Sequence, residues 1–292
     1  MKFALAPINV GDFAPPEEIV RIAQKAEELG FESVWSFEHV IMPYQYASKY
    51  PYNRSGKAGA ESDTRFVDPF IAFSYAAAAT KTLRFGTGVN ILGQANPLFF
   101  AKQASSVDYL SGGRLMLGVG VGWLEEEFNA MGVPFHDRGP RTTDYIKALR
   151  AAWNGGGEVR YKSEYIDWRG FELSPQPAQA GGIPLIVGGV TRPAIRRAVA
   201  LGDGWFPVHK DLDELARQMD KLRAEGQAQG RDVSRMEITS FYYQHREPPE
   251  ALERYAELGV HRVLVNLIAF GAGDVIESME RFAEQVVRKY AA

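Results

Sequence analysis

The sequence predicts an α/β protein folded as a (β/α)8 TIM barrel, and three observations predict it. Short strand-like runs alternate with helix-length segments along all 292 residues. Runs such as Leu185–Val187 and Val263–Val265 are apolar on both faces, as parallel strands covered by helices should be. Leu-Gly ends three helices just before the next strand, at Gly30, Gly202 and Gly259. A doubly wound open sheet is the alternative architecture.

Each element follows from its own local pattern, and eight strand–helix pairs are expected in chain order. Strands are short runs rich in apolar residues, and helices carry apolar residues at helical spacing. The predicted strands are Phe3–Ile8, Ser33–Phe37, Leu83–Val89, Arg114–Val119, Leu185–Val187, Trp205–Val208, Met236–Tyr243 and Arg262–Leu267. The predicted helices are Pro16–Gly30, Val67–Thr80, Pro97–Ser111, Leu124–Met131 with Thr142–Trp153, Pro193–Gly202, Leu212–Gly226, Pro249–Gly259 and Asp274–Tyr290.

Two stretches exceed this alternation, and we interpret them as insertions into a single domain of residues 1–292. Residues 38–66 have no convincing helix and are far longer than the ~2–6 residues typical of such loops. Residues 157–182 contain a predicted hairpin, Val159–Tyr161 against Tyr165–Trp168. Both insertions follow their strands, which is the side where barrel active sites lie.

The first insertion is rich in tyrosine, and this suggests a function. Tyr44, Tyr50 and Tyr52 suit a packed surface better than a solvated tether. We therefore expect a lid that covers a substrate pocket. A disordered loop or an oligomer contact is the alternative.

Composition excludes several functional classes. The chain has 33 basic and 36 acidic residues and a net charge of -3, so it lacks the basic footprint of a nucleic-acid-binding protein. It has no cysteine, which removes disulfides, thiolate nucleophiles and Cys-ligated metal centres. Its five histidines show no paired zinc-type spacing, so no metal site is predicted. No apolar run approaches the ~18 residues of a membrane span, and a cytoplasmic enzyme without a membrane partner is expected.

In a barrel, the residues just after each strand face one mouth. These residues are rich in glycine and amides and poor in the paired carboxylates of a glycosidase. They are Asn9, Glu38, His39, Asn90, Gly120 to Trp123, Gly188 to Thr191, His209, Gln244, His245 and Asn266.

Glu38 and His39 are the candidate catalytic pair. His39 directly follows a predicted strand, and the adjacent Glu38 could orient its ring. A purely structural hydrogen bond is the alternative role for the histidine. His209, which also follows a strand, is a weaker candidate for the substrate pocket.

Two glycine-rich turns are candidate cofactor contacts. Gly188, Gly189, Val190 and Thr191 join a buried strand to a helix, so their backbone N–H groups could cradle a phosphate; an ordinary tight turn is the alternative. The run from Gly118 to Trp123 fails the dinucleotide fingerprint, because its third glycine is missing. Its glycines, including Gly120, are instead expected to let a flat aromatic ligand approach.

These motifs together resemble the luciferase-like monooxygenase superfamily, and most closely the actinobacterial branch that uses the deazaflavin coenzyme F420. The resemblance is strong over about residues 1–210. It is carried by Leu110 to Arg114, Leu117 to Trp123, Glu127, Pro134-Phe135, Arg138-Gly139, Gly86 to Val89, Asn96-Pro97, Ala101 to Gln103, Pro184 to Gly189 and Gly202 to Trp205. The insertion, with Tyr50-Pro51-Tyr52 and Gly56, is similar to that branch as well.

The resemblance implies a ring that lies across the barrel mouth and carries a hydride. His39 would face the redox centre and handle a proton, and a non-prolyl cis peptide at Gly88-Val89, just before Asn90, would back the ring. Gly188 to Thr191 would hold the phosphate. Trp123 would form part of the ring pocket, or else belong to the core.

Three functional hypotheses follow. The first is F420-dependent hydride transfer to or from a small organic substrate. The second is an FMN-dependent two-component monooxygenase that uses O2 and a separate reductase. The third is a flavin-binding protein without turnover. In each case a homodimer is expected.

Overall fold

The chain folds as a closed barrel of eight parallel strands, which confirms the predicted architecture and excludes the open sheet. The computed structural model describes residues 1–271 and 273–291. The strands are β1 (Lys2–Ala6), β2 (Ser33–Ser36), β3 (Arg84–Thr87), β4 (Asn90–Ile91), β5 (Leu115–Gly120), β6 (Glu158–Lys162), β7 (Asp167–Glu172), β8 (Leu185–Gly188), β9 (Gly204–Phe206), β10 (Glu237–Tyr242) and β11 (Arg262–Asn266). Around the barrel the order is β1, β2, β3, β5, β8, β9, β10 and β11, which pairs again with β1.

Helices cover the outside of the barrel, close to the predicted bounds. They are α1 (Pro16–Glu28), α2 (Pro69–Ala78), α3 (Pro97–Ser111), α4 (Glu125–Ala130), α5 (Arg138–Ala152), α6 (Arg192–Leu201), α7 (Leu212–Gln229), α8 (Ala251–Glu257), α9 (Val275–Phe282) and α10 (Arg288–Tyr290). A π-helical turn, Ala283–Val287, interrupts the last predicted helix. Side chains cap several helices, since Asp68, Asn96 and Thr191 each accept a backbone N–H of the first turn.

The barrel interior is filled by side chains and is not a channel. Its inner cluster is built around Trp35, Met116, Ile186, Phe206 and Leu264, all of them buried. The larger apolar core lies between the strands and the surrounding helices. Ligands must therefore bind at the rim of the barrel.

The amino-terminal end of the barrel is closed by a buried cation. Arg262 is fully buried, and its guanidinium makes two bonds of 2.7 Å to the carboxylate oxygens of Glu32. It also pairs with Glu237 and donates to Thr239 Oγ1 at 3.0 Å. All four residues lie at or near the start of their strands, away from the mouth.

The first predicted insertion follows β2 and has the expected character. The second contains the predicted hairpin, but the prediction that it lies on the mouth side is wrong: it joins α5 to β8, and Gln179 within it donates to the Leu115 carbonyl at the amino-terminal start of β5. Between β2 and α2 the chain forms no helix and pairs only through an isolated bridge, Val10 with Phe66. The hairpin of β6 and β7 is antiparallel and longer than predicted. Among the described helices, none combines the length and the apolar character that crossing a membrane requires.

Candidate functional site

The floor of the barrel mouth is aromatic. Phe37 follows β2, Phe206 ends β9, and Phe241 lies near the end of β10. The ring centroids of Phe206 and Phe241 are 5.2 Å apart, and those of Phe37 and Phe241 are 6.3 Å apart. Sequence reasoning missed these three residues, although strand alternation could have placed them inward. The rings are inclined to one another, at 42° and 74°, and Phe37 and Phe241 extend the inner cluster toward the mouth as an apolar surface.

A backbone bulge with the predicted cis peptide stands beside this floor. The Gly88–Val89 bond is cis, as the resemblance implied. The side chain of Val89 fills the space at Gly120 and Gly188, where a Cβ would lie 2.5 and 2.9 Å from its methyl groups. A Cβ on Gly118 would lie 1.8 Å from the Thr87 carbonyl oxygen. These glycines thus accommodate the bulge, which is a different reason from the predicted approach of a ligand.

Glu38 is tied to the strand after the bulge. Its carboxylate accepts Asn90 Nδ2 at 2.7 Å and the Ile91 backbone N–H at 2.5 Å. Burial raises the pKa of Glu38 to about 7, and the nearby negative charges of Glu127 and Asp68 raise it further. The hydrogen bonds from Ile91 and Asn90 lower it, but by less. Near neutral pH this carboxyl group can hold or release a proton.

His39 is oriented by Glu127, and the prediction that Glu38 orients it is wrong. Its Nδ1 lies 3.2 Å from Glu127 Oε2, on α4. Adjacent residues of an extended chain point to opposite sides, so Glu38 turns toward Asn90 and His39 turns away from it. The ring packs edge-on against Phe66, with centroids 5.2 Å apart. Glu127 belonged to the sequence motif, but nothing in the sequence indicated its partner.

The side chain of His39 is 15% exposed, so part of it remains accessible. Among the described residues its Nε2 has no hydrogen-bond partner. The residue lines a cavity of about 400 Å³. The other lining residues come from the first insertion and are mostly apolar or hydroxyl-bearing: Val40, Ile41, Met42, Tyr44, Ser62, Thr64 and Phe66.

Trp123 holds the tyrosines of the first insertion together. Its ring centroid lies 5.2 Å from that of Tyr50 and 5.5 Å from that of Tyr46. Tyr50 in turn packs edge-on against Tyr52 at 5.6 Å. The Tyr52 hydroxyl lies 4.0 Å from where a Cβ on Gly189 would be. The insertion therefore spans from the end of β5 toward the end of β8.

Tyr44 is placed differently from the other predicted lid residues. Its side chain is 95% exposed and lies at the outer edge of the cavity that His39 lines. Burial raises the pKa of Tyr50 to about 12, so its hydroxyl stays neutral. The roles of Tyr44, Tyr50 and Tyr52 toward a substrate stay predictions.

The turn from β8 to α6 has the geometry of a small anion cradle. Gly189 adopts a φ of 105°, and its carbonyl oxygen accepts the Trp205 indole N–H at 2.8 Å. Thr191 Oγ1 caps α6 by accepting the Ala194 N–H. Within the described residues, the N–H groups of Val190 and Thr191 donate to no protein acceptor. Two backbone donors thus remain available beside the amino terminus of a ten-residue helix.

His209 is buried, and its ring nitrogens are occupied. Nδ1 lies 3.1 Å from Ser240 Oγ and Nε2 lies 3.0 Å from the Tyr255 hydroxyl. Burial lowers the pKa of His209 to about 4, helped by the positive charge of Arg246, so the ring is neutral at physiological pH. A substrate contact by His209 stays a prediction and would require displacing one of these bonds. Across the described residues, no group of three acidic or histidine side chains is arranged to hold a metal ion.

Comparison with known proteins gives the site its context. The luciferase-like monooxygenase family matches residues 3–288 of the chain. The uncharacterized protein Rv0940c of Mycobacterium tuberculosis is 31% identical over 282 residues, covering 92% of this chain and 94% of that protein. The FMNH(2)-dependent dimethylsulfone monooxygenase of Pseudomonas putida is 27% identical over 242 residues, covering 82% of this chain and 61% of that enzyme. In overall fold the chain is similar to an F420-dependent secondary alcohol dehydrogenase solved with an F420–acetone adduct, with a TM-score of 0.77, 18% identity and 98% of both chains covered.

Proposed function

The chain belongs to the luciferase-like monooxygenase family, and from this premise we propose that it is an F420-dependent oxidoreductase acting on a small organic substrate. The observation that carries the proposal is that four features all lie at or just after the carboxyl ends of barrel strands. They are the phenylalanine cluster, the Val89 bulge, the His39 ring and the two N–H groups of the β8–α6 turn that have no acceptor among the described residues.

The residues at the mouth fit a flavin-type ring. Phe37 and Phe241, which pack on the buried Phe206, offer an apolar surface to a flat heterocycle. Asn90 Oδ1 and Gln244 Oε1 are buried acceptors without a partner among the described residues, and the ring edge of a flavin or deazaflavin carries N–H and carbonyl groups that could pair with such amides. The free N–H groups of Val190 and Thr191 suit its phosphate. When bound, such a ring supplies the carbon that donates or accepts the hydride.

The protein's own residues then manage the proton that accompanies the hydride. Reduction of a carbonyl group adds a hydride to carbon and a proton to oxygen, and oxidation of the alcohol reverses both. His39 lines the cavity, and its Nε2, which has no hydrogen-bond partner among the described residues, is the nitrogen we assign to that proton. Glu38 holds Asn90 and Ile91 in place beside the bulge and can exchange a proton near neutral pH. The tyrosines of the first insertion would exclude water from the closed site.

The choice of F420 rests on the first insertion. Its Tyr50-Pro51-Tyr52 segment resembles the F420-using branch, and Tyr52 reaches the phosphate turn at Gly189. FMN is the alternative cofactor, since a relative 27% identical is named an FMNH(2)-dependent monooxygenase. In that case O2 would be a second substrate, and a separate reductase would have to supply reduced FMN.

A homodimer also remains part of the proposal. The outer faces of α2 and α3 carry large apolar side chains that are more than half exposed. They are Ile71 and Tyr75 on α2 and Phe99, Tyr109 and Leu110 on α3. Such a patch is typical of a protein–protein contact.

The proposal is tested by purifying the protein from a host that makes both F420 and FMN and identifying the bound cofactor by mass spectrometry. Binding of each purified cofactor is then measured, and turnover is followed by the absorbance of oxidised F420. We expect F420 to bind and to be turned over. Tight FMN binding without affinity for F420 would refute the F420 assignment.

The proton role of His39 is tested in the same assay. His39→Ala should leave F420 affinity within about threefold and lower kcat by about 10²-fold or more, the usual contribution of a general acid or base. His136, which is exposed and does not line the cavity of His39, is the matched control, and His136→Ala should change neither value. Unchanged turnover in His39→Ala would show that the histidine handles no proton.

A further inference from the structure

Among the described residues, Glu127 is the one carboxylate within hydrogen-bond distance of His39, and its two oxygens have different partners. Oε1 accepts the backbone N–H of Val40 at 2.6 Å and that of Ile41 at 3.4 Å. Oε2 lies 3.2 Å from His39 Nδ1. The side chain is only 2% exposed, so water cannot replace these partners. Glu127 thus binds the His39 side chain and the backbone of the two residues that follow it.

An ionised carboxylate can only accept hydrogen bonds, and this fixes the state of the imidazole. The His39 nitrogen that faces Oε2 must carry a proton, so Nδ1 is protonated whether the ring is neutral or charged. In the neutral ring Nε2 is therefore the bare nitrogen. This is the opposite of the tautomer that free neutral histidine favours.

We propose that Glu127 is a positioning residue that holds the His39 proton on Nδ1 and so makes Nε2 the working nitrogen of the site. The inference rests on the proposed function only in its expected effect on kcat, because that effect requires His39 to handle a proton. The tautomer itself follows from the contacts of Glu127 in its ionised form. Among the described residues the Glu127 side chain hydrogen-bonds only to His39 and to the backbone of Val40 and Ile41, so its contact with the candidate site runs through His39. Its charge also contributes to the raised pKa of Glu38.

The two partners of Oε1 fix the orientation that the amide of Glu127→Gln must adopt, so this variant tests the tautomer directly. The amide oxygen of the new side chain must take the Oε1 position, because Val40 and Ile41 both donate there. The amide NH2 group is then forced to face His39 Nδ1. An NH2 group donates, so Nδ1 must become the acceptor and the proton must move to Nε2. An isosteric change would invert the tautomer without removing an atom.

Glu126→Gln is the matched control. Glu126 is the preceding residue of the same helix, and its Oε1 accepts the N–H groups of Ala47 at 2.6 Å and Ser48 at 3.2 Å. The substitution removes the same charge from the same helix and disturbs the same insertion, but it leaves the contacts of His39 intact. Glu127→Asp is the conservative variant, because its carboxylate is still only an acceptor.

The experiment measures the ¹⁵N shifts of the histidine ring nitrogens at about pH 8.5, where an ordinary imidazole is neutral. The His39 signals are assigned by their loss in His39→Gln. In the wild-type protein, in Glu126→Gln and in Glu127→Asp we expect a protonated Nδ1 and a bare Nε2. In Glu127→Gln we expect the reverse, a bare Nδ1 and a protonated Nε2. A wild-type His39 with its proton on Nε2, or an unchanged tautomer in Glu127→Gln, would overturn the proposal.

Turnover separates this inference from the proposed function. If Nε2 handles the proton, Glu127→Gln should lower kcat by about 10²–10⁴-fold, since a histidine in the wrong tautomer costs up to that much in serine proteases. Cofactor affinity should stay within about threefold, and Glu127→Asp should recover a large part of kcat. An exchanged tautomer with unchanged kcat would support the role of Glu127 and refute the proton role of His39. Lost kcat without an exchanged tautomer would refute the role of Glu127.

Discussion

Glu38 combines a half-buried carboxyl group with two hydrogen bonds from the strand that follows the bulge. Burial raises its pKa to about 7, against an ordinary value of 4.5. Below pH 4.5 both the folded and the unfolded chain hold this proton, so it has no effect on stability. Between pH 4.5 and 7 the unfolded chain releases the proton first, and the folded state is progressively destabilised. Above pH 7 the cost is constant.

Glu38→Gln should therefore remove a pH-dependent penalty. The new amide oxygen can accept the Ile91 N–H, and Asn90 can turn so that its unpartnered Oδ1 accepts the new NH2 group. The free energy of unfolding of the variant, relative to wild type, should rise between pH 4.5 and 8 by at most about 3 kcal/mol. Urea unfolding at several pH values measures this, and the difference between the two proteins cancels other titrating groups. A difference that does not vary with pH would contradict the raised pKa.

At the scale of elements, the bulge between β3 and β4 and the glycines of β5 form one packing unit. A Cβ on Gly120 would lie 2.5 Å from Val89 Cγ2, closer than real carbon atoms approach. The backbone of Gly120 is not left-handed, so this contact is the obstacle. The glycine and the valine are coupled through space, although 31 positions separate them in the chain.

Gly120→Ala should lower the free energy of unfolding by about 1–3 kcal/mol through overpacking. In a Val89→Ala background, which removes both methyl groups, the same change should cost at least about 1 kcal/mol less. Gly59→Ala is the control, since no atom lies within 4 Å of its added Cβ and the backbone is not left-handed, so it should stay within about 0.5 kcal/mol. Equal costs of Gly120→Ala in both backgrounds would exclude the coupling.

At the scale of the whole molecule, one end of the barrel carries the candidate site and the other end contributes to stability. The mouth carries the candidate site, and the opposite end carries the buried ion network of Arg262, Glu32 and Glu237. Barrels usually divide function and stability between their ends in this way. The division can be tested by disrupting the closed end and measuring both properties.

Arg262→Met should lower the free energy of unfolding by about 3–5 kcal/mol, because two carboxylates lose their buried partner. Cofactor affinity should not change at temperatures where the variant is folded. Arg169→Met is the control, since Arg169 is 85% exposed where it pairs with Asp167, and it should change stability by less than about 1 kcal/mol. Weakened cofactor binding in folded Arg262→Met would contradict the division.

The prediction of the fold succeeded because its signals are local. Apolar runs, proline at helix starts and Leu-Gly endings placed every barrel strand within a few residues. The breaks in the pattern were not predicted. The two-residue strand β4 and the π-helical turn near the end depend on contacts with distant residues, and neither leaves a periodic signal.

By itself, the sequence determined the alternation of strands and helices and the position of the insertions along the chain, and it predicted a set of polar residues at one mouth. Only the tertiary structure decided which of these residues meet. It paired His39 with Glu127, 88 positions away, and turned Glu38 toward Asn90. It also packed the Val89 side chain against the glycines of β5. The physical reason is that periodicity reports the direction of a side chain relative to its own element, whereas a hydrogen bond depends on where two elements come together.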